Sequence, residues 1–286
     1  MESGRRAWPG ASEPSDQRCD NRLAGVYIPS FVCRSFEEQR VADTRGAWSE
    51  SDVAGHPCDV YEPAQPGSYV VIYLHGVHLQ RLVDNASFGR EFDRYKLRVL
   101  APRTARSWWS DRICREFDPH ISAEKYVTQA VLPYARERWG IAPPAIALLG
   151  TSMGGQGALR LAFKYPNLFP IVAALSPAID YHLRWDRDET LPEMYRDEEQ
   201  ARQDTAILHV HPLNWPRNIF FACDPNDDPW HNSSERLRMK LAALGIPHEY
   251  DLETMGGGHG FGYYNQMAGR ALQFIAERLE RERLRV

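Results

Sequence analysis

The stretch Gly150-Thr151-Ser152-Met153-Gly154 constrains this chain more than any other. It spells Gly-x-Ser-x-Gly. The short apolar run Ala145-Ile146-Ala147-Leu148-Leu149 precedes it, and Ala158, Leu161, Ala162 and Tyr165 follow at helical spacing. A strand that turns sharply into a helix through a serine flanked by glycines is a nucleophile elbow. It holds the serine backbone under strain, lifts the hydroxyl above the sheet and turns the next backbone N–H, here Met153, into the same space. Side chains at the flanking positions would collide, so glycine stands there. The pentapeptide alone is weak, because at roughly 7% each for Gly and Ser it arises by chance in about one chain of this length in ten. The strand before it and the helix after it give it weight. The competing reading is a glycine-rich phosphate loop, but no Lys-Ser or Lys-Thr follows.

The remainder of the chain predicts a setting for that turn. Tyr69–Leu74, Arg98–Ala101, Ile171–Leu175, Ile219–Cys223 and His248–Leu252 are β-prone runs. Helical patterns lie between them, over Phe88–Tyr95, from Ser122 towards Trp139, over Asn232–Leu244, and through Ala268, Ala271, Leu272, Ile275 and Leu279. Such alternation predicts an α/β fold, with a mostly parallel central sheet and helices on both faces. Gly25–Val32 and Asp59–Tyr61 read as strands of an N-terminal antiparallel meander. Pro133 is expected to kink its helix and Gly140 to end it. Asn232 and Glu235 are expected to form a capping box. Residues 178–216 read as a charged, irregular excursion over the top of the sheet, with helical pieces around Glu193 to Gln203. Residues 1–24 read as a flexible lead, and residues 25–286 as a single domain.

Composition narrows the classes of function. Lys and Arg number 34 and Asp and Glu 38, a net charge of −4, which argues against nucleic acid as a partner. The Arg278–Arg285 tail alternates with Glu and reads as a solvated helix end. The five cysteines are widely spaced and form no C-x-x-C, so neither a disulfide framework nor a zinc site is expected. The pair His209 and His211 lacks a third ligand, and metal binding is not expected. The first residues carry no apolar segment of a secretory signal, and no run of about 18 apolar residues spans a membrane. A cytoplasmic protein without cofactor or metal is the expectation, and its oligomeric state is open.

A serine hydroxyl needs a base to take its proton, and the base needs an acidic group to orient it. Of the ten histidines, His259 alone lies between the last strand and the last helix, inside Gly256-Gly257-Gly258-His259-Gly260. A loop that flexible is a poor place for a core residue and a good one for bending back over the strand ends. The acid is sought in Cys223-Asp224-Pro225-Asn226-Asp227-Asp228-Pro229, just past a strand. Asp227 fits best, with Asp228 and Asp224 as alternatives. An oxyanion hole needs two backbone donors. Met153 N–H is the first, and Val77 N–H, in the loop that follows Tyr69–Leu74, is the expected second. Gly76 is expected to let that backbone turn. His75 is expected to pack or hydrogen-bond behind the site. Trp108, Trp109, Trp230, Phe261 and Tyr263 cluster beside the motif loops and read either as an aromatic substrate pocket or as core and rim packing; Gly76, Trp108, Trp109, Trp230 and Phe261 are the candidate substrate-binding residues.

With these pieces together, the chain resembles the α/β-hydrolase superfamily, and within it the putative-esterase branch that contains S-formylglutathione hydrolases (esterase D). The matching features are Leu74-His75-Gly76, Ser107-Trp108-Trp109-Ser110-Asp111, Leu132-Pro133-Tyr134, Gly150–Gly155, the Asp224–Asp228 turn and Gly257-Gly258-His259. The resemblance spans roughly residues 55–280. It implies a serine hydrolase acting on a small-molecule carboxylic ester or thioester through an acyl-enzyme. Ser152 would be the nucleophile, His259 the base and Asp227 the acid, with no cofactor. No glutathione-binding pattern is evident, so that substrate is not carried over. An acyltransferase or a peptidase would use the same triad, and a non-catalytic binder could keep the scaffold.

Overall fold

The structure, a computed structural model, describes residues 45–285. The expected flexible lead and the Gly25–Val32 strand lie outside the described residues.

Eight strands form one sheet: β1 Ala47–Val53, β2 His56–Glu62, β3 Val70–Leu74, β4 Arg98–Pro102, β5 Ile146–Thr151, β6 Ile171–Leu175, β7 Asn218–Ala222 and β8 Glu249–Asp251. Their order is β1-β2-β4-β3-β5-β6-β7-β8. β2 runs antiparallel to both β1 and β4, and every pair from β4 through β8 is parallel. β1 and β2 make a tight hairpin whose two turn residues, Ala54 and Gly55, both have positive φ (53° and 85°). That backbone matches the twist of the flanking strands.

Every residue of β3, β5 and β6 is buried, as a sheet covered on both faces requires. The two-residue period sorts them between two cores. Val70, Ile72, Leu74 and Leu148 join Leu159, Leu161 and Phe163 on one face; Val71, Tyr73 and Leu149 join Phe88, Leu272 and Ile275 on the other. The first face is covered by the helix Met153–Lys164, the second by Ala86–Arg94 and Phe261–Arg283. No helix among the described residues is long and apolar enough to cross a membrane.

Several local expectations are corrected. The helix from Ala123 does not simply kink at Pro133. Ala123–Tyr126 widens into a π-helical turn, Val127–Val131, before Leu132–Trp139 resumes. Pro133 cannot donate an i→i−4 bond and its ring crowds the preceding turn, and the wider turn relieves both demands. Gly140 (φ 68°) ends this helix in the left-handed region, as expected. The helix expected to start at Asn232 starts at Trp230, with Pro229 before it and no side-chain cap. Asn232 lies inside and donates to Asp228. His209 closes a 3-10 turn and bonds to Asp204 at 3.0 Å, so no strand places it alongside His211. In the C-terminal tail, Glu282 is buried and accepts from Arg217 Nε (2.8 Å) and Asn218 Nδ2 (3.0 Å).

The excursion holds helix where helical pieces were expected, and more besides. It contains the helices Thr190–Met194 and Glu198–Gln203 and the 3-10 turns Tyr181–Arg184 and Ala206–His209. It docks on Met153–Lys164 through a buried ionic cluster in which Arg160 bonds Glu124 and, at 2.6 Å, Asp204. Gln156 joins the layers, donating to the Trp108 carbonyl (3.0 Å) and accepting Ala206 N–H (3.0 Å). The helix that follows Ser152 is thereby clamped from above as well as by the sheet below.

Candidate active site

Ser152 sits between β5 and the helix Met153–Lys164 with φ 55° and ψ −118°, a backbone region that non-glycine residues rarely enter. The turn is so tight that a Cβ on Gly150 would lie 2.0 Å from the Gly154 carbonyl oxygen, and one on Gly154 would lie 1.9 Å from that of Leu74. Hydrogen bonds fix the strained residue: Ser152 N–H donates to Leu175 O (2.9 Å), and Ser152 O accepts from Gln156 (3.1 Å) and Ala178 (3.0 Å). Met153 is the first helical residue, where an N–H has no intrahelical acceptor.

The predicted partners converge on Ser152. Its Oγ lies 2.8 Å from His259 Nε2, and His259 Nδ1 lies 2.7 Å from Asp227 Oδ2. Asp227 is 3% exposed and stands in the turn after β7. The other two carboxylates of that turn face elsewhere. Asp228 is exposed and accepts from Asn232. Asp224 accepts the N–H groups of Asn226 (2.8 Å), Gly256 and Gly258 (2.9 Å). Burial alone would raise its pKa, but these three amides prevail and hold the carboxyl below the usual range. The glycine loop needs its glycines for conformation: Gly257, Gly258 and Gly260 have φ of 92°, 80° and 139°.

Val77, in the loop after β3, lines the same cavity as Ser152. Neither Val77 N–H nor Met153 N–H donates to an acceptor among the described residues. Gly76 earns its place differently from the expectation. Its φ is not in the left-handed region; instead a Cβ there would lie 3.2 Å from Ser152 Cβ. Close approach, not turning, is what requires glycine. His75 lies behind the loop, as expected, and burial pushes its imidazole down to about 4.

A cavity of about 110 Å³ opens over the serine. Its walls are Gly76, Val77, His78 and Gln80 on one side and His259, Gly260, Phe261 and Tyr264 on the other, with Thr151 and Ser152 at the base. A larger groove of about 540 Å³ lies around Thr128, Leu132 and Arg136, away from these residues. Phe261 lines the site cavity as expected; the three tryptophans do not. Trp108 and Trp109 are buried, both with φ 53°, and both spend their indole N–H inside the protein, on Asp188 Oδ2 (3.0 Å) and His75 O (3.1 Å). Trp108 stacks on Tyr181, and Trp109 lies against Gly157, where a Cβ would come within 2.3 Å. Trp230 is buried beside His259, ring centroids 6.4 Å apart. All three are packing residues that shape the site from behind.

Tyr264 was missed by the sequence reading. It lies one turn into Phe261–Arg283, where its N–H meets Gly260 O (3.0 Å), and its ring stands edge-on to His259 at 5.8 Å. Burial, then the charge of Asp227, raises its phenol pKa, so the hydroxyl stays protonated beside the serine. The readable signal was position: a residue four beyond the helix-capping glycine points back at the histidine loop.

Comparison with known proteins bears on the family and the fold. The family model described as Putative esterase matches residues 58–281. Among solved structures, FphF, a fluorophosphonate-binding serine hydrolase of Staphylococcus aureus, superposes with a TM-score of 0.67 at 16% identity, covering 81% of this chain and 99% of that one. An S-formylglutathione hydrolase from Agrobacterium tumefaciens gives 0.65 at 19% identity, covering 82% and 96%. A ferulic acid esterase gives 0.66 at 15% identity, covering 82% and 98%. At these identities the likeness establishes the α/β-hydrolase fold. No curated protein sequence matches.

Proposed function

The chain belongs to the Putative esterase family, an esterase type of hydrolase, and on that premise we propose that it cleaves a carboxylic ester or thioester of a small molecule through an acyl-enzyme at Ser152. The observation that carries this reading is the unbroken relay from Ser152 Oγ to His259 (2.8 Å) to the buried Asp227 (2.7 Å).

His259 Nε2 takes the hydroxyl proton as Ser152 Oγ attacks the acyl carbon. Asp227 holds Nδ1–H, sets the ring orientation and stabilises the imidazolium that forms. The carbonyl oxygen gains negative charge between Met153 N–H and Val77 N–H; one such donor is worth about 2.7–4 kcal/mol. Collapse of the tetrahedral intermediate expels the alcohol or thiol, which takes the proton from His259. Water then attacks the acyl-serine, gives a proton to His259, and the acid leaves as Oγ is reprotonated. Every step uses the same three side chains and needs no metal.

The test is hydrolysis of short-chain acyl esters by purified protein and by Ser152→Ala. The wild type is expected to turn over and the variant to retain only a trace. Full activity in the variant contradicts the proposal.

A further inference from the structure

The peptide between Gly76 and Val77 is gripped from behind. His75 Nδ1 lies 2.9 Å from the Gly76 carbonyl oxygen, and His75 Nε2 lies 3.1 Å from the Thr104 backbone nitrogen. A backbone N–H can only donate, so Nε2 accepts and the ring proton sits on Nδ1. His75 therefore donates to the Gly76 carbonyl. The same oxygen accepts Leu79 N–H at 3.0 Å. The carbonyl of His75 accepts the buried Trp109 indole N–H at 3.1 Å. Further along, Arg81 Nε meets the buried carboxylate of Asp59 at 2.7 Å and closes the loop down on β2.

In a trans peptide the C=O and the following N–H point in opposite directions. The Gly76–Val77 bond is trans. Holding Gly76 O behind the loop thus turns Val77 N–H the other way, towards the cavity that Val77 lines. The grip is needed because of what Gly76 is. It must lack a Cβ to lie against Ser152, and the same lack removes the steric barrier to rotating its peptide plane. A rotated plane would present a carbonyl oxygen where the oxyanion forms.

We infer that His75 is the positioning residue of the oxyanion hole, a neutral imidazole that locks the Gly76–Val77 peptide with its N–H facing the oxygen of the acyl group on Ser152. This rests on the proposed acyl transfer at Ser152. Burial keeps His75 neutral at ordinary pH, which leaves Nε2 free to accept from Thr104.

Two substitutions separate the two hydrogen bonds. In His75→Asn the amide nitrogen takes the place of Nδ1, which keeps the donor to Gly76 and loses the partner of Thr104. In His75→Gln the longer side chain puts its amide oxygen near the place of Nε2, which keeps Thr104 and loses the donor to Gly76. Kinetics on a short acyl ester, normalised to folded enzyme by active-site titration, are read beside the thermal midpoint. His75→Gln is expected to lower kcat by about 10²-fold with KM kept, and to slow fluorophosphonate labelling to match, as a displaced oxyanion donor should. His75→Asn is expected to recover most of kcat at a similar midpoint. Wild-type kcat in His75→Gln, or equal loss in both variants, overturns the inference. If neither variant accumulates, Trp109→Phe removes the donor to the His75 carbonyl; a lower kcat at unchanged KM supports the lock, and a wild-type kcat overturns it. A wild-type protein that neither hydrolyses the ester nor takes the label overturns the Ser152 proposal itself, a result distinct from any of these.

Discussion

Gly258 N–H donates to Asp224 Oδ2 across 2.9 Å, so the loop carrying His259 is tied to the turn that carries Asp227. One carboxylate orients the imidazole directly, and another, three residues earlier, orients the loop on which it rides. His259 and Asp227 are thereby built as a unit, which the proposed mechanism uses as base and acid.

Asp224→Ala should therefore act on catalysis although Asp224 touches neither Ser152 nor His259. Removing the acceptor leaves three amide donors without their partner. A kcat loss of about tenfold or more is expected, since small displacements of a reacting group are costly. Steady-state kinetics beside the thermal midpoint check it; a wild-type kcat in the folded variant would show that the loop holds His259 unaided.

Asp227→Asn and Asp228→Asn should differ widely. An asparagine at 227 can impose the wrong imidazole tautomer, a change that in serine proteases lowers kcat by about 10⁴-fold. Asp228 is exposed and its side chain bonds, among the described residues, only Asn232, so its variant should stay close to wild type. Comparison of kcat in the two variants decides which carboxylate serves the histidine.

The glycines should sort by space. Gly154→Ala forces a Cβ to 1.9 Å from a backbone oxygen and is expected to prevent folding or abolish activity. Gly89, inside the helix Ala86–Arg94, has nothing within 4 Å of the added carbon. Gly89→Ala should instead stabilise by up to about 1 kcal/mol. Denaturant unfolding measures both.

His75 should leave a mark on acid stability. Burial holds its pKa at about 4 in the fold against 6.5 for a free imidazole, so between those pH values the unfolded chain binds more protons. Stability from this group is complete above about pH 6.5, falls as pH drops through the window and levels off below about 4, a change of about 3 kcal/mol. Asp59 and Arg103 act on the same ring in opposite directions. Unfolding free energies of wild type and His75→Asn from urea titrations at pH 4 to 7 should diverge by this amount; parallel curves would contradict a buried neutral His75.

The elements legible in the sequence were those with local causes. Gly150 and Gly154 flank a serine because the turn admits no side chain, and the glycines around His259 mark a backbone with positive φ. Fully apolar runs such as Ile171–Leu175 announced buried parallel strands. What escaped depends on contacts across the fold. Trp108 and Trp109 stood next to a motif and read as a substrate wall, yet Asp188, Gln156 and the His75 carbonyl draw them inside. Tyr264 gains its place only once the last helix is laid against β6, β7 and β5. The helical pieces of residues 178–216 were legible, but their docking was not, because the pairing of Arg160 with Asp204 joins positions 44 apart. Asn232 had the form of a helix cap, but the chain already turns into helix at Trp230.

The most direct measurement is fluorophosphonate labelling of the native protein, with the modified residue located by peptide mass spectrometry. A single adduct on Ser152 is expected, absent when the protein is unfolded in acid before the probe is added and greatly slowed in His259→Ala, because in the proposed mechanism the hydroxyl is nucleophilic only while His259 holds it at 2.8 Å. No native adduct, or one that forms equally well without His259, would contradict the account of Ser152 as an activated nucleophile.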